Sequence, residues 1–128
     1  MPKSVIIDAV RSPIGLKNGQ LVGLRPDDLS AQIIIGLLKR TPNLDPKLIE
    51  DLIFGCAFPE GEQGLNIARL IGFLADLPIG MAGVTVNRFC GSSMQAIHMA
   101  AGAIQMNAGE VFLCAGVEGA ADPGKVKA

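Results

Sequence analysis

Four short apolar runs, separated by stretches with helical signals, constrain this chain more than any other feature. They occupy residues 4–10, 51–57, 82–89 and 110–117. Continuous Val and Ile runs, rather than strict alternation, mark strands covered on both faces. The stretches between them, at 26–40, 63–76 and 90–107, read as helices. The order β-α-β-α-β-α-β predicts an α/β fold: a largely parallel sheet flanked by helices, with right-handed crossovers. In such sheets chemistry sits in the loops at the C-terminal ends of the strands.

The punctuation agrees with this order. Pro26 fixes φ, and Asp27 and Asp28 place negative charge in a first helical turn. Lys39 and Arg40 close that helix with positive charge, and Pro42 stops it. Asp45 caps a short helix that Pro46 opens and that reaches about Glu50. Asn18-Gly19 signals a turn in the loop before Arg25, residues 58–64 form a second loop, and Pro78 and Gly80 break the chain again. No internal repeat or low-complexity tract is present.

Hydrophobic residues make up 49% of the 128 and charged residues only 18%. That balance suits the interior of a larger protein, although a chain of this length can itself bury roughly 70% of its unfolded surface. A net charge of −1 without a basic cluster argues against nucleic acid, and the absence of Trp and Tyr removes stacking platforms for bases. No stretch reaches the ~20 apolar residues of a membrane span. A first strand starting at residue 3 or 4 leaves no room for a signal or transit peptide. The three cysteines are Cys56, Cys90 and Cys114. An odd number without a Cys-x-x-Cys pair disfavours a disulfide framework or a zinc ribbon and fits the reducing cytoplasm.

The third helical stretch is unusual. From Cys90 to Asn107 it holds no Asp, Glu, Lys or Arg, and Ala96, Ala100, Ala101, Gly102 and Ala103 keep it narrow. A helix apolar nearly all round is expected to be buried all round. This one therefore calls for a layer beyond a four-stranded sheet: another domain, another subunit, or both.

Cys90 stands where Val84-Thr85-Val86 gives way to that helix. A thiol at a helix N-terminus lies at the positive end of the dipole, near free N–H groups, and that setting favours the nucleophilic thiolate. Cys90 is the candidate nucleophile; an inert buried cysteine is the alternative. Cys56 and Cys114, late in apolar strands, read as small buried hydrophobes. His98 is the only histidine, eight positions and ~12 Å further along the helix, out of hydrogen-bond reach of Cys90. It reads as a packed or interface residue, so the base for Cys90 lies elsewhere or is absent. Gly61-Glu62-Gln63-Gly64 precedes a helix but lacks the spacing and lysine of a phosphate loop, and Glu62 would repel an anion; it reads as an ordinary loop. Arg11-Ser12-Pro13-Ile14-Gly15 is equally non-specific by itself. Arg88 is expected to pair a carboxylate or to lie near the site, with no catalytic role.

The run Val86-Asn87-Arg88-Phe89-Cys90-Gly91-Ser92-Ser93-Met94-Gln95-Ala96-Ile97-His98 resembles the nucleophile segment of the thiolases, most of all the degradative 3-ketoacyl-CoA thiolases. Further stretches agree in order: 8–15, Arg25-Pro26-Asp27-Asp28-Leu29, 61–69, and Ala115-Gly116-Val117-Glu118. The resemblance covers roughly residues 3–118. It implies a thiolase-like half-domain whose last strand is not reached, with 1–118 as an incomplete N-terminal domain and 119–128 as a divergent tail. It also implies an acyltransferase that cleaves 3-ketoacyl-CoA to acetyl-CoA and a shortened acyl-CoA, as in fatty-acid β-oxidation. Cys90 then matches the nucleophile that carries the acyl group, and its backbone N–H matches one oxyanion donor. Coenzyme A is implied as co-substrate, with no bound cofactor and no metal. The implied base histidine, second cysteine and Asn-Glu-Ala-Phe-type segment have no counterparts in this chain. A homodimer paired around residues 82–89 is implied too, with the second subunit of a fatty-acid oxidation complex as a further partner. Two other readings compete: a non-catalytic thiolase-like module that folds, dimerises or binds, and a condensing ketoacyl synthase relative, which the Asn-Arg-Phe-Cys-Gly-Ser-Ser-Met run disfavours.

Overall fold

The computed structural model describes residues 1–119. Three strands form its sheet: β1 (Asp51–Gly55), β2 (Ala82–Val86) and β3 (Phe112–Gly116). They lie in the order β2-β1-β3, and both pairings are parallel. Gly55 sits opposite Val86 on one side and Gly116 on the other, so all three strands end level. The ladder runs one step past these ends, where Cys56 N–H donates to Val86 O at 3.0 Å and Val117 N–H to Gly55 O at 3.0 Å.

Each face of the sheet is covered by different helices. Helix α1 (Pro26–Arg40) keeps the expected bounds, with Asp27 and Asp28 in its first turn and Lys39 and Arg40 in its last. With α2 (Ile67–Leu74) it covers one face, where Ile34, Leu52, Phe54, Ile67 and Ile71 are buried together. Each such side chain contributes about 1.5–3 kcal/mol through removal from water. Helix α3 (Ser92–Gln105) covers the other face, setting Ala96 and Ala100 against Ile53. The chain reverses direction between β1→β2 and β2→β3, so a constant crossover hand sends α2 and α3 to opposite faces. The connections after β1 and β2 therefore lead to opposite faces from the C-terminal ends of these neighbouring strands.

The α/β architecture and parallel sheet are as expected, and several details differ. The run at 4–10 forms no strand. Val5, Ile6 and Ile7 are 74–80% exposed: the run has apolar content but no neighbouring strand to complete its hydrogen bonds. The short helix after Asp45 is a single 3-10 turn, Pro46–Leu48. The second helix begins at Ile67, not 63, because Leu65 and Asn66 adopt left-handed φ values of 56° and 55° and interrupt the helical path. Its first turn is tied to β2 instead: Thr85 Oγ1 accepts from Ala68 N–H at 3.2 Å and donates to Asn66 Oδ1 at 2.8 Å. The third helix is not buried all round. Ser92, Ala96 and Ala100 are buried, whereas Met94 and Ile97 are 63% and 43% exposed. Small residues bring one face onto the sheet, and no described residue covers the other apolar face.

Candidate active site

The site is built where β2 hands over to α3. Helix α3 starts at Ser92 with Gly91 as its N-cap, so Cys90 lies in the turn before the helix and not in its first turn, as the sequence suggested. The turn is sharp because Phe89 adopts φ 45°, in the left-handed region. A bulky L-residue there costs on the order of 1–3 kcal/mol and persists only when its surroundings hold it. Within the turn, Gly91 N–H donates to Arg88 O at 3.0 Å and Ser92 N–H to Phe89 O at 3.1 Å. The Ser92 hydroxyl accepts from Arg88 N–H at 2.8 Å and donates to Phe89 O at 2.6 Å. None of these bonds engages the Cys90 N–H.

Two glycines set the height of this turn above the sheet. A methyl group built at Gly55 would overlap the Ser92 carbonyl carbon, and one built at Gly116 would overlap the Ser93 side chain. The first turn of α3 therefore rests directly on the ends of β1 and β3. That contact leaves Cys90 exposed above the C-terminal edge of the sheet.

The other two cysteines differ in kind. Cys56 is fully buried, and burial, with the Glu118 carboxylate next in weight, pushes its thiol up. Burial also pushes the Cys114 thiol up, with a smaller contribution from Asp51, and Cys114 Sγ donates to Ala96 O at 3.5 Å. Both shifts oppose thiolate formation. His98 is exposed on α3, eight residues from Cys90. Arg88 forms no salt bridge among the described residues. Among the described residues no cluster of His, Cys, Asp or Glu could hold a metal ion, and no helix is long and apolar enough to cross a membrane.

A polar network behind the turn escaped sequence reasoning. Glu118, just past β3, accepts from Ala57 N–H at 2.8 Å and from Phe58 N–H at 3.2 Å. Buried Gln63 donates to Phe58 O at 2.9 Å and to Glu118 at 3.4 Å. Gly61–Gln63 is a 3-10 turn, and Glu62 pairs with Arg25 at 3.5 Å, so this segment braces the loops. Asn87 completes the network: its Nδ2 donates to Ala57 O at 3.1 Å and its Oδ1 accepts from Phe89 N–H at 2.9 Å. The available signal was a carboxamide two residues before a bulky residue at a strand-to-helix turn. Asn side chains often cap such turns locally. Arg11-Ser12-Pro13-Ile14-Gly15 does not join the site: Arg11 bonds only its neighbour Ser12 O among the described residues.

A model of the thiolase N-terminal domain matches residues 4–125. The chain belongs to the thiolase family. It is 56% identical over 115 residues to a 3-ketoacyl-CoA thiolase of Marinomonas sp. (strain MWYL1), covering 89% of this chain and 29% of that protein. A 3-ketoacyl-CoA thiolase of Alcanivorax borkumensis is 53% identical over 119 residues, 91% of this chain and 30% of that protein. The fold superposes on Acat5 thiolase from Ascaris suum, solved in complex with coenzyme A, with a TM-score of 0.74 and 33% identity. That match covers 82% of this chain and 27% of the solved one. The chain thus spans about three-tenths of the length of the curated thiolases it matches. The divergent tail expected from 119 onward lies, beyond its first residue, outside the described residues.

Proposed function

We propose that this chain supplies the nucleophile of a degradative 3-ketoacyl-CoA thiolase, with Cys90 as the residue that carries the acyl group. The observation that carries this reading is the exposed Cys90 on its strained turn at the sheet edge, in a thiolase domain. The Cys90 thiolate attacks the C3 carbonyl of a 3-ketoacyl-CoA, and the C2–C3 bond breaks. The C2 carbanion takes a proton and leaves as acetyl-CoA, while the acyl group stays on sulfur. The thiol of a second coenzyme A then attacks that thioester and regenerates Cys90. The Cys90 N–H, unused within the turn, is the proposed oxyanion donor. Coenzyme A is a substrate here and not a resident cofactor.

The same reading makes the 128 residues inactive in thiolysis by themselves. The single histidine is misplaced as a base for Cys90. Cys90 lines neither of two surface hollows, one between the end of α1, the turn at 45–47 and residues 75–78, the other beside Glu50 and Glu110. Incubation with a 3-ketoacyl-CoA and coenzyme A should give no measurable thiolysis, with the purified chain matching Cys90→Ala. Turnover that depends on Cys90 would overturn the claim of incompleteness. A non-catalytic module is favoured instead if Cys90 accepts no acyl group from any thioester.

The uncovered apolar face of α3 and the open edge of β2 support pairing with a second copy. The oxidation-complex subunit is a further proposed partner. Three unpaired cysteines support the cytoplasm as the proposed location.

A further inference from the structure

We propose that Asn87 is a positioning residue for Cys90, anchoring the nucleophile's turn to β1 through its carboxamide. This rests on the reading of Cys90 as the nucleophile. The Ser92 hydroxyl and the backbone bonds close the turn on itself, and the contacts at Gly55 and Gly116 set the height of the helix start, but none of these ties Phe89 to β1 by a hydrogen bond. Asn87 does. Its Oδ1 takes the Phe89 N–H at 2.9 Å, at the residue held at φ 45°. Its Nδ2 reaches across to Ala57 O at 3.1 Å, on the chain just beyond β1.

That far anchor is rigid. Ala57 is buried, and its own N–H is held at 2.8 Å by the Glu118 carboxylate. The adjoining Cys56 N–H is bonded to β2 at Val86 O. Asn87 therefore joins the end of β1, and through Glu118 the end of β3, to the residue that precedes the nucleophile. The task needs one short side chain with both an acceptor and a donor. An ionised Asp offers no donor, and Ala offers neither. Asn87 does not touch the sulfur, so it acts through Phe89: it stabilises a backbone conformation that Phe89 would otherwise leave.

The step to measure is acyl transfer from a small thioester, S-acetyl-N-acetylcysteamine. The Cys90 thiolate attacks the carbonyl carbon, the bond to the N-acetylcysteamine sulfur breaks, and the released thiolate takes a proton from water. Intact-mass and peptide analysis of the full 128-residue chain read the rate at Cys90. Asn87→Ala and Asn87→Asp are each compared with the parent, and again in a Phe89→Gly background. Circular dichroism checks that each variant is folded. Glycine adopts positive φ freely, so the effect of Asn87 should depend on Phe89. The expected result is a loss of at least tenfold for Asn87→Ala with Phe89 present and under threefold with Gly at 89. Amide hydrogen exchange at Phe89 should be at least tenfold faster in Asn87→Ala and little changed in Asn87→Asp, which keeps the acceptor. Should Asn87→Ala fail to fold, Asn87→Asp decides, with a loss expected from the carboxylate set against Ala57 O. Equal losses in the two backgrounds, or no loss, overturn the positioning role. A parent chain that never acylates at Cys90 overturns the nucleophile reading instead, and the exchange at Phe89 still tests the anchor.

Discussion

Asp51 opens β1 with one carboxylate oxygen shut off from solvent and without a hydrogen-bond partner among the described residues, although the residue as a whole is partly exposed. Burial pushes its carboxyl up, against a smaller opposing effect of the Leu52 N–H. The sign follows from linkage. A carboxyl raised on folding binds its proton more tightly in the folded state, so it favours folding at low pH. That contribution fades as pH rises through the unfolded value and on through the raised folded one. Asp51→Asn should therefore stabilise the chain at pH 7, by no more than about 1 kcal/mol, because it removes the partly desolvated charge while its carboxamide still leaves a polar atom unpartnered. The gain should shrink near pH 3, and urea unfolding at both pH values checks it; a variant weaker than the parent at pH 7 contradicts it. The cysteines give a second test. Near pH 7 iodoacetamide should label Cys90 at least tenfold faster than Cys56 or Cys114, since burial raises both of those thiols and hides Cys56 completely. Equal labelling in the folded chain would remove the distinction. The place of Cys90 between β2 and α3 was legible in the sequence because a thiol between a β-branched run and an apolar helix is a local pattern. The Asn87–Ala57 bond was not, because its partners lie 30 residues apart and meet only through the register of β1 with β2.

At the scale of elements, legibility followed how much each segment depends on its neighbours. Helix α1 carries its own start and stop signals, and its bounds came out as read. The run at 4–10 has the same apolar character as β1 but not its two partners, and pattern alone does not supply a partner. Leu65 and Asn66 cut α2 short because Asn66 accepts from the Thr85 hydroxyl and donates to Gly83 O, bonds that favour a bend no propensity records. The joint between α3 and the sheet is the most demanding contact. Gly55→Ala places a methyl group on the backbone of Ser92, where no rotamer change relieves it. The expected cost is about 3 kcal/mol, the upper part of the overpacking range. Gly36 lies exposed within α1, with nothing near the position a methyl group would take. Gly36→Ala should stabilise by about 0.5–1 kcal/mol. Chemical denaturation of both variants separates close packing from general glycine effects, and similar changes in the two would contradict it.

For the whole molecule, the interior-rich composition and the exposed apolar surface describe one situation from two sides. A sequence that is 49% hydrophobic has more apolar surface than three strands and three helices can cover. The excess is spread along the chain and includes Met94 and Ile97 on the outer face of α3, Phe89 beside Cys90, Leu70, Phe73 and Leu74 on α2, and Val5, Ile6 and Ile7 before α1. The charge-free sequence of α3 predicted cover on both sides, and the structure locates the side left open, which no periodicity in so uniform a helix could have specified. A second copy seated on that face would shield Met94 and Ile97 and leave Ala96 and Ala100 on the sheet. Sedimentation equilibrium at tens of micromolar should therefore give a mass above the 13.3 kDa of one chain. Met94→Glu combined with Ile97→Glu should shift the distribution toward the monomer by at least tenfold in the dissociation constant. The far-ultraviolet circular dichroism should stay unchanged, because both side chains point away from the core. A strictly monomeric parent would rule out a second copy as the occupant of this face; association that persists in the double variant would move the contact away from Met94 and Ile97.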